Sequence, residues 1–321
     1  MRIFLIIFLV STSILIADIY YVEYVTKNDA KNRFVSLREI LGEDDQLSFS
    51  LVKNSKGTTG CVGDKGVVEI SSNGQRKSIK TYSEKLNTIH VFGDSFTFGF
   101  GVNNNETFSA FLEEYNLSYN VVNYGVPGFG LTQMYVSLLM NLKNIQRGDV
   151  VLFSPIFEDF FRDLYTPRKV LWMKTFSDLK FKKFPIYVDG IISYRDITGL
   201  KYFLASKIYL SSFLGEVARD LLGNRRGSIE ASRQMLGDIR ERLDQKGTVF
   251  VLAFLPTLND EESANRLVLK NIAGHREVYD NYKAVKDRKS MFRMKCDFHY
   301  SKRGNMFIAK ELTKVIEVAK L

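Results

Sequence analysis

Histidine, cysteine and tryptophan are scarce in this chain: three, two and one in 321 residues. The spacing of Cys61 and Cys296 with His90, His275 and His299 offers no zinc set, so no metal is expected. A Walker-type glycine loop and a dinucleotide fingerprint are also missing, and Gly99-Phe100-Gly101 is too short a match to count, so no organic cofactor is implied. Zinc-finger spacing and basic-region heptads are absent, which argues against nucleic acid as a partner. No internal repeat or low-complexity segment interrupts the sequence. Acidic residues are outnumbered, 36 against 45 basic, for a formal net charge of +9. Such a surface is either diffusely basic and solvated or has an anionic neighbour such as lipid headgroups or acidic glycans.

The remaining composition, 45% hydrophobic and 25% charged, is that of an ordinary globular protein able to bury a substantial core. At the N-terminus, Ile3 to Ala17 is a mostly apolar run behind one charge, Arg2, and Asp18 interrupts it before Ile19-Tyr20-Tyr21-Val22. That length suits a secretory signal and is short for a full span. Cleavage after Ala17 would place Leu15 where a small residue is expected, so residues 1–22 read as an uncleaved signal-anchor in preference to a cleaved signal peptide. Either reading exports the body of the protein, to the periplasm and tethered to the inner membrane, or secreted if the signal is cleaved; only a buried N-terminal helix would not. Export makes a Cys61–Cys296 disulfide possible, with two unpaired buried thiols as the alternative.

Residues 23–85 read as a polar lead-in with short strand-like pieces, Gln46–Val52 and Gly66–Ile70, and turns at Gly57, Gly60, Gly63 and Asn73-Gly74. From Thr88 strands alternate with helices: Ile89–Phe92, then Glu106–Tyr115, Asn120–Asn123, Leu131–Leu142 and Val150–Phe153. Such alternation indicates βαβ units and a parallel sheet. Residues 163 to about 199 break the rhythm as an insertion beside the active-site end of the sheet. It holds Tyr165, Arg168, Trp172, the basic stretch Lys180–Lys183 and a hairpin turning at Asp189-Gly190. Helical patterns at Leu200–Leu222 and Ser228–Gln245, a strand at Thr248–Leu255 and a helix from the N-cap Ser301 to about Ala319 complete the domain of residues 86–321.

Within that pattern, Val91-Phe-Gly-Asp-Ser-Phe-Thr-Phe-Gly99 ends a strand on a turn from which Ser95 can project its hydroxyl. A serine nucleophile needs a base, an orienter for the base and donors for the oxyanion. His299 sits in a polar loop before the last helix, and Asp297, two residues earlier, can reach its Nδ1 while Nε2 faces Ser95. His90 lies within the first strand and reads as a wall or surface residue; His275 lies in a charged helical segment and reads as solvated.

Taken in order, Gly93-Asp94-Ser95, Asn123-Tyr-Gly-Val-Pro-Gly128 and Asp297-Phe-His299 resemble the blocks of the SGNH/GDSL hydrolase superfamily, in particular its envelope-associated bacterial members. The resemblance runs over about residues 86–320. It implies a flavodoxin-like three-layer α/β/α fold, with Ser95 as nucleophile, His299 as general base and Asp297 as its orienter. It also implies an oxyanion hole built from the backbone N–H groups of Ser95 and Gly128. One block departs: where the family carries an Asn that donates to the oxyanion, this chain has Glu158, which could donate only when protonated.

The expected activity is a serine esterase removing acyl groups, acetyl in the first place, from cell-envelope carbohydrate. Two alternatives stay open. One is an O-acetyltransferase of exported polysaccharide using the same triad; the other is a non-catalytic carbohydrate-binding protein on a decayed hydrolase fold. The oligomeric state is not readable.

Overall fold

The structure, a computed structural model, describes residues 2–61, 63–77, 87–116, 118–162, 173–174, 177–198, 225–257, 278–280, 294 and 298–319. A long helix α1 (Arg2–Arg33) leads into two antiparallel hairpins, β1 (Leu41–Asp44) with β2 (Ser48–Leu51) and β3 (Lys56–Cys61) with β4 (Asp64–Glu69). Then come β5 (Asn87–Gly93), the single turn α2 (Ser95–Phe98), α3 (Phe108–Tyr115), β6 (Tyr119–Asn123), α4 (Leu131–Asn141), β7 (Val150–Ser154) and α5 (Asp159–Arg162). The hairpin β8 (Lys183–Val188) and β9 (Ile191–Asp196) precedes α6 (Arg225–Lys246), β10 (Val249–Phe254), β11 (Val278–Asp280) and α7 (Lys302–Ala319). Among the described residues, no helix is long and apolar enough to cross a membrane.

The central sheet has five parallel strands in the order β11-β10-β7-β5-β6. Read from β6, that is the 2-1-3-4-5 sequence of the flavodoxin-like arrangement, and the direction of winding reverses between β5 and β7. The inner strands are apolar on both faces, as a sheet covered on both sides requires. Ile89 and Val91 of β5, Val150 and Leu152 of β7, and Val251 and Ala253 of β10 pack with α3 and α7 through Phe108, Leu112, Ile308 and Leu312. The alternate residues Phe92, Val151, Phe153, Leu252 and Phe254 pack with α4 and α6 through Met134, Leu138, Met235 and Ile239. The expected α/β/α sandwich is the architecture observed.

Local signals explain where elements begin and end. Thr107 Oγ1 accepts from Ala110 N–H at the start of α3, and Ser301 Oγ accepts from Gly304 N–H at the start of α7. Asp189 and Gly190 both take positive φ, 49° and 81°, as a two-residue type I′ hairpin turn demands. The helical pattern expected at Leu200–Leu222 lies outside the described residues, as do Tyr165, Arg168 and Trp172.

The N-terminal segment is built into the sandwich. Leu37, Ile40, Leu47, Phe49, Leu51, Val68 and Ile70 belong to the same buried cluster as Phe92, Phe98 and Phe129. Leu47, Phe49 and Leu51, like Val68 and Ile70, alternate with the strand period within the pieces expected at Gln46–Val52 and Gly66–Ile70, whereas Leu37 and Ile40 lie outside any strand. The β8–β9 hairpin docks on them: Ser48 Oγ donates to Lys183 O at 2.8 Å, and Phe49 packs against Phe181 with ring centroids 5.6 Å apart.

At the crossing of β5 and β7, Gly93 has no room for a side chain. A Cβ there would clash with Thr97 Oγ1 and lie 2.9 Å from the carbonyl oxygen of Ser154. Gly93→Ala is therefore expected to pry the two strands apart and cost about 1–3 kcal/mol of stability, read as a lowered urea midpoint.

Candidate active site

Ser95 stands two residues beyond β5, at the switch in winding where α/β sheets place their ligands. It is the first residue of α2. Asp94 caps that turn, Oδ1 accepting from Phe96 N–H at 2.9 Å, and Gly99 closes it with a left-handed φ of 80°. Ser95 is buried, and its Oγ lies 2.8 Å from His299 Nε2 and 3.3 Å from Asp94 Oδ2. When Nε2 accepts the serine proton, the imidazole must carry its own proton on Nδ1. The imidazole lies between Phe96 and Phe100, with ring centroids 4.6 and 4.7 Å away. Its chain neighbours are fixed as well: Tyr300 OH donates to Pro256 O at 2.6 Å, and Met294 N–H donates to His299 O at 3.1 Å. Asp297 lies outside the described residues.

The second block forms the loop after β6. Tyr124 N–H donates to Val91 O and Val126 N–H to Gly93 O, which hold the loop along the end of β5. Asn123 spans the gap from β6, its Nδ2 donating to Thr97 O at 2.8 Å and its Oδ1 accepting from Gly125 N–H. Gly128 has φ 88°, and a Cβ there would lie 2.7 Å from the sulfur of Met173. Both the conformation and the crowding require glycine at this point.

Two buried arginines hold this machinery. Neither carries a sequence signal beyond the Glu158/Arg162 spacing on one helical turn. Arg162 Nη1 donates to Asp94 Oδ2 at 3.1 Å and to Phe129 O at 2.6 Å, linking the nucleophile turn to the residue after Gly128. The same nitrogen lies 2.8 Å from Asp159 Oδ1. Its two hydrogens are already directed elsewhere, so this third contact is one of charge. From the other side, Arg76 donates through Nη1 to Phe98 O and Gly99 O, and through Nη2 to Val102 O. Burial pushes its guanidinium down to about 9, partly opposed by Glu106, which leaves it charged at neutral pH. Arg76 N–H also donates to Asn123 O, an isolated bridge on the outer side of β6.

Glu158 faces solvent, with its side chain 57% exposed and Oε1 3.7 Å from Arg162 Nε. The desolvation that a proton-donating Glu158 requires is therefore missing. The next residue is the buried carboxyl: Asp159 Oδ2 accepts from Ile156 N–H at 2.9 Å. Burial, then the nearby charge of Asp94, raises Asp159 well above the ordinary carboxyl range, with Arg162 opposing.

The other sequence candidates separate clearly. His90 is buried, with Nε2 3.1 Å from Asp149 Oδ2 and Nδ1 3.4 Å from Tyr124 OH, so it is an interior wall residue and not a surface one. His275 lies outside the described residues. Cys61 is buried and disulfide-bonded, which removes the alternative of two unpaired thiols; Cys296, the other cysteine of the sequence, lies outside the described residues. Among the described residues, no group of three or more His, Cys, Asp or Glu could hold a metal ion.

Solved structures with a related chain course include esterases and lipolytic proteins. One is a member of the lipolytic G-D-S-L family from Veillonella parvula: 15% identical, covering 72% of this chain and 98% of its own, TM-score 0.42. In fold, the chain is similar to GDSL-family proteins. The esterase EstA from a Pseudoalteromonas species is 12% identical, covering 72% of this chain and 97% of its own, with TM-score 0.42. An acetyl xylan esterase is 13% identical, covering 71% and 99%, with TM-score 0.39. No family model and no curated protein matches the sequence.

Two expectations follow from the buried charges. A carboxyl raised on folding binds more protons in the native than in the unfolded state, so Asp159 makes stability fall as pH climbs from the unfolded carboxyl range towards its native value. Asp159→Asn keeps an acceptor for Ile156 N–H and should flatten that fall, seen as a smaller difference in melting temperature between acid and neutral pH. Arg76→Met strips three carbonyl oxygens of their donor and should cost about 3 kcal/mol in denaturant unfolding.

Proposed function

We propose that the protein is a serine ester hydrolase of the SGNH/GDSL type. Ser95 is its nucleophile and His299 the general base, with Asp297 orienting the imidazole. The observation that carries the reading is the 2.8 Å contact between Ser95 Oγ and His299 Nε2 at the end of a parallel strand. A hydroxyl so placed loses its proton to the imidazole as it attacks an acyl carbonyl, and the imidazolium returns the proton to the departing alkoxide. Water, activated by the same base, then releases the acid. In this mechanism the backbone N–H groups of Ser95 and Gly128 receive the oxyanion. Arg162 acts behind them, holding Asp94 and the Phe129 carbonyl in place without touching the substrate.

The proposed substrate is an acylated, in the first place acetylated, carbohydrate of the cell envelope. The proposed location is outside the cytoplasm, tethered through the N-terminal segment. The apolar run Ile3–Ala17, the net charge of +9 and a disulfide at Cys61 support this, because disulfides persist in oxidising compartments.

Acetate release from p-nitrophenyl acetate and from an acetylated polysaccharide tests the reading. Ser95→Ala and His299→Ala are each expected to lower kcat/KM by about 10³-fold or more while leaving the melting temperature unchanged. An unchanged rate in Ser95→Ala removes the catalytic assignment. Release from the small ester alone would leave an esterase whose substrate is not carbohydrate.

A further inference from the structure

The imidazole of His299 is gripped on both flat sides by the turn that carries Ser95. Phe96 and Phe100 lie 4.6 and 4.7 Å from it between ring centroids, tilted by 36° and 39°, nearer to stacking than to edge contact. Both phenyls are buried, 6% and 3% exposed. They bracket the serine along the chain: Phe96 follows it, and Phe100 N–H donates to Ser95 O at 3.0 Å. Each has its own support. Tyr300 meets Phe96 edge-on with centroids 5.0 Å apart, and Phe34, the residue after α1, meets Phe100 at 6.2 Å.

The arrangement answers two demands of the proposed reaction. A histidine side chain turns about two bonds, and hydrogen bonds to its nitrogens lie in the plane of the ring, so they leave its faces unheld. Two phenyl faces fix that plane. Because they hang from the turn of the nucleophile, base and nucleophile are held as one unit although the chain separates them widely. The second demand is charge. As Ser95 Oγ forms its bond to the acyl carbon, its proton passes to Nε2, and the imidazole becomes a cation in a site largely closed to water. Burial opposes that charge. A π face attracts it, most strongly where water is excluded. Aliphatic side chains of the same bulk would hold the ring and give the cation nothing. The same turn already receives a cation on a phenyl face: the guanidinium carbon of Arg76 lies 4.7 Å from the ring centroid of Phe98.

We propose that Phe96 and Phe100 are positioning residues for His299, holding the plane of the imidazole and stabilising the imidazolium that forms as the serine attacks. This role rests on the esterase reading and acts through the base, without contact between either phenyl and the substrate.

Fluorination separates charge from packing, because it draws electron density from the face of a phenyl while nearly keeping its size. The full chain carrying mono-, di- or trifluorinated phenylalanine at position 96 or at position 100 is assayed on p-nitrophenyl acetate. At each position kcat should fall stepwise, to about a tenth with the trifluorinated ring, while KM and the melting temperature stay level. The same series at Phe108, a core phenyl of α3, should leave kcat unchanged. Phe100→Ala, which also frees the plane of the imidazole, should lower kcat at least about tenfold further. The fluorinated proteins keep the test valid if the alanine variant fails to fold. A flat kcat at either position, an equal fall with the Phe108 series, a change confined to KM, or a folded Phe100→Ala no slower than the trifluorinated protein overturns the proposal. Activity that survives Ser95→Ala removes the esterase reading and this role with it. Activity lost in Ser95→Ala yet flat across the fluorinated series removes this role alone.

Discussion

The geometry of Ser95 depends on two positive charges buried on either side of a four-residue turn. α2 is too short to hold itself, since isolated helical turns are unstable without outside contacts. Arg162 grips the residue before the serine, and Arg76 grips the carbonyls where the turn ends. Each guanidinium is held in a low-dielectric interior by partners that need it as much as it needs them. Removing either partner leaves a charge or a set of carbonyls stranded, which is why such pairs tolerate little change. The nucleophile is thereby positioned by groups that never meet the substrate.

These arginines come from outside the strand–turn–helix unit they serve. Arg76 belongs to the N-terminal segment, and Arg162 closes α5 after β7. The site is therefore assembled across the switch in winding from both neighbouring strands and from chain that precedes the sheet. The segment around residues 37–77 thus has two roles. It supplies one side of the core and secures the loop from Gly99 to Val102, where Thr59 Oγ1 accepts from Gly101 N–H at 3.0 Å.

What the sequence revealed follows from the range of the forces involved. The strands around Ile89, Val121, Val151 and Val251 declared themselves because burial on both faces writes apolar runs into the chain. Ser95 and His299 were legible because a nucleophile turn and a pre-helix loop have local residue preferences. Phe49, Leu51 and Ile70 were legible as parts of short strands but not as core, since their hairpins, rich in polar residues and glycine, read as a lead-in outside the sandwich. Arg76 and Arg162 were invisible for a related reason. Each looks like an ordinary surface cation until tertiary folding closes carbonyls and carboxylates around it. Glu158 was placed in the mechanism by position alone, and its exposure shows how a block residue can be turned away from the site by its neighbour Asp159, which takes the interior.

Arg76 also has a bearing on solubility. β6 is the outermost strand on its side of the sheet, and an outer strand offers unpaired peptide groups to any other extended chain. The bridge from Arg76 N–H to Asn123 O occupies that border at the residue where β6 ends. The guanidinium pulls the same residue inward, so the covering segment cannot peel away without breaking the nucleophile turn. The same residue thus ties the covering of that strand end to the turn that carries Ser95.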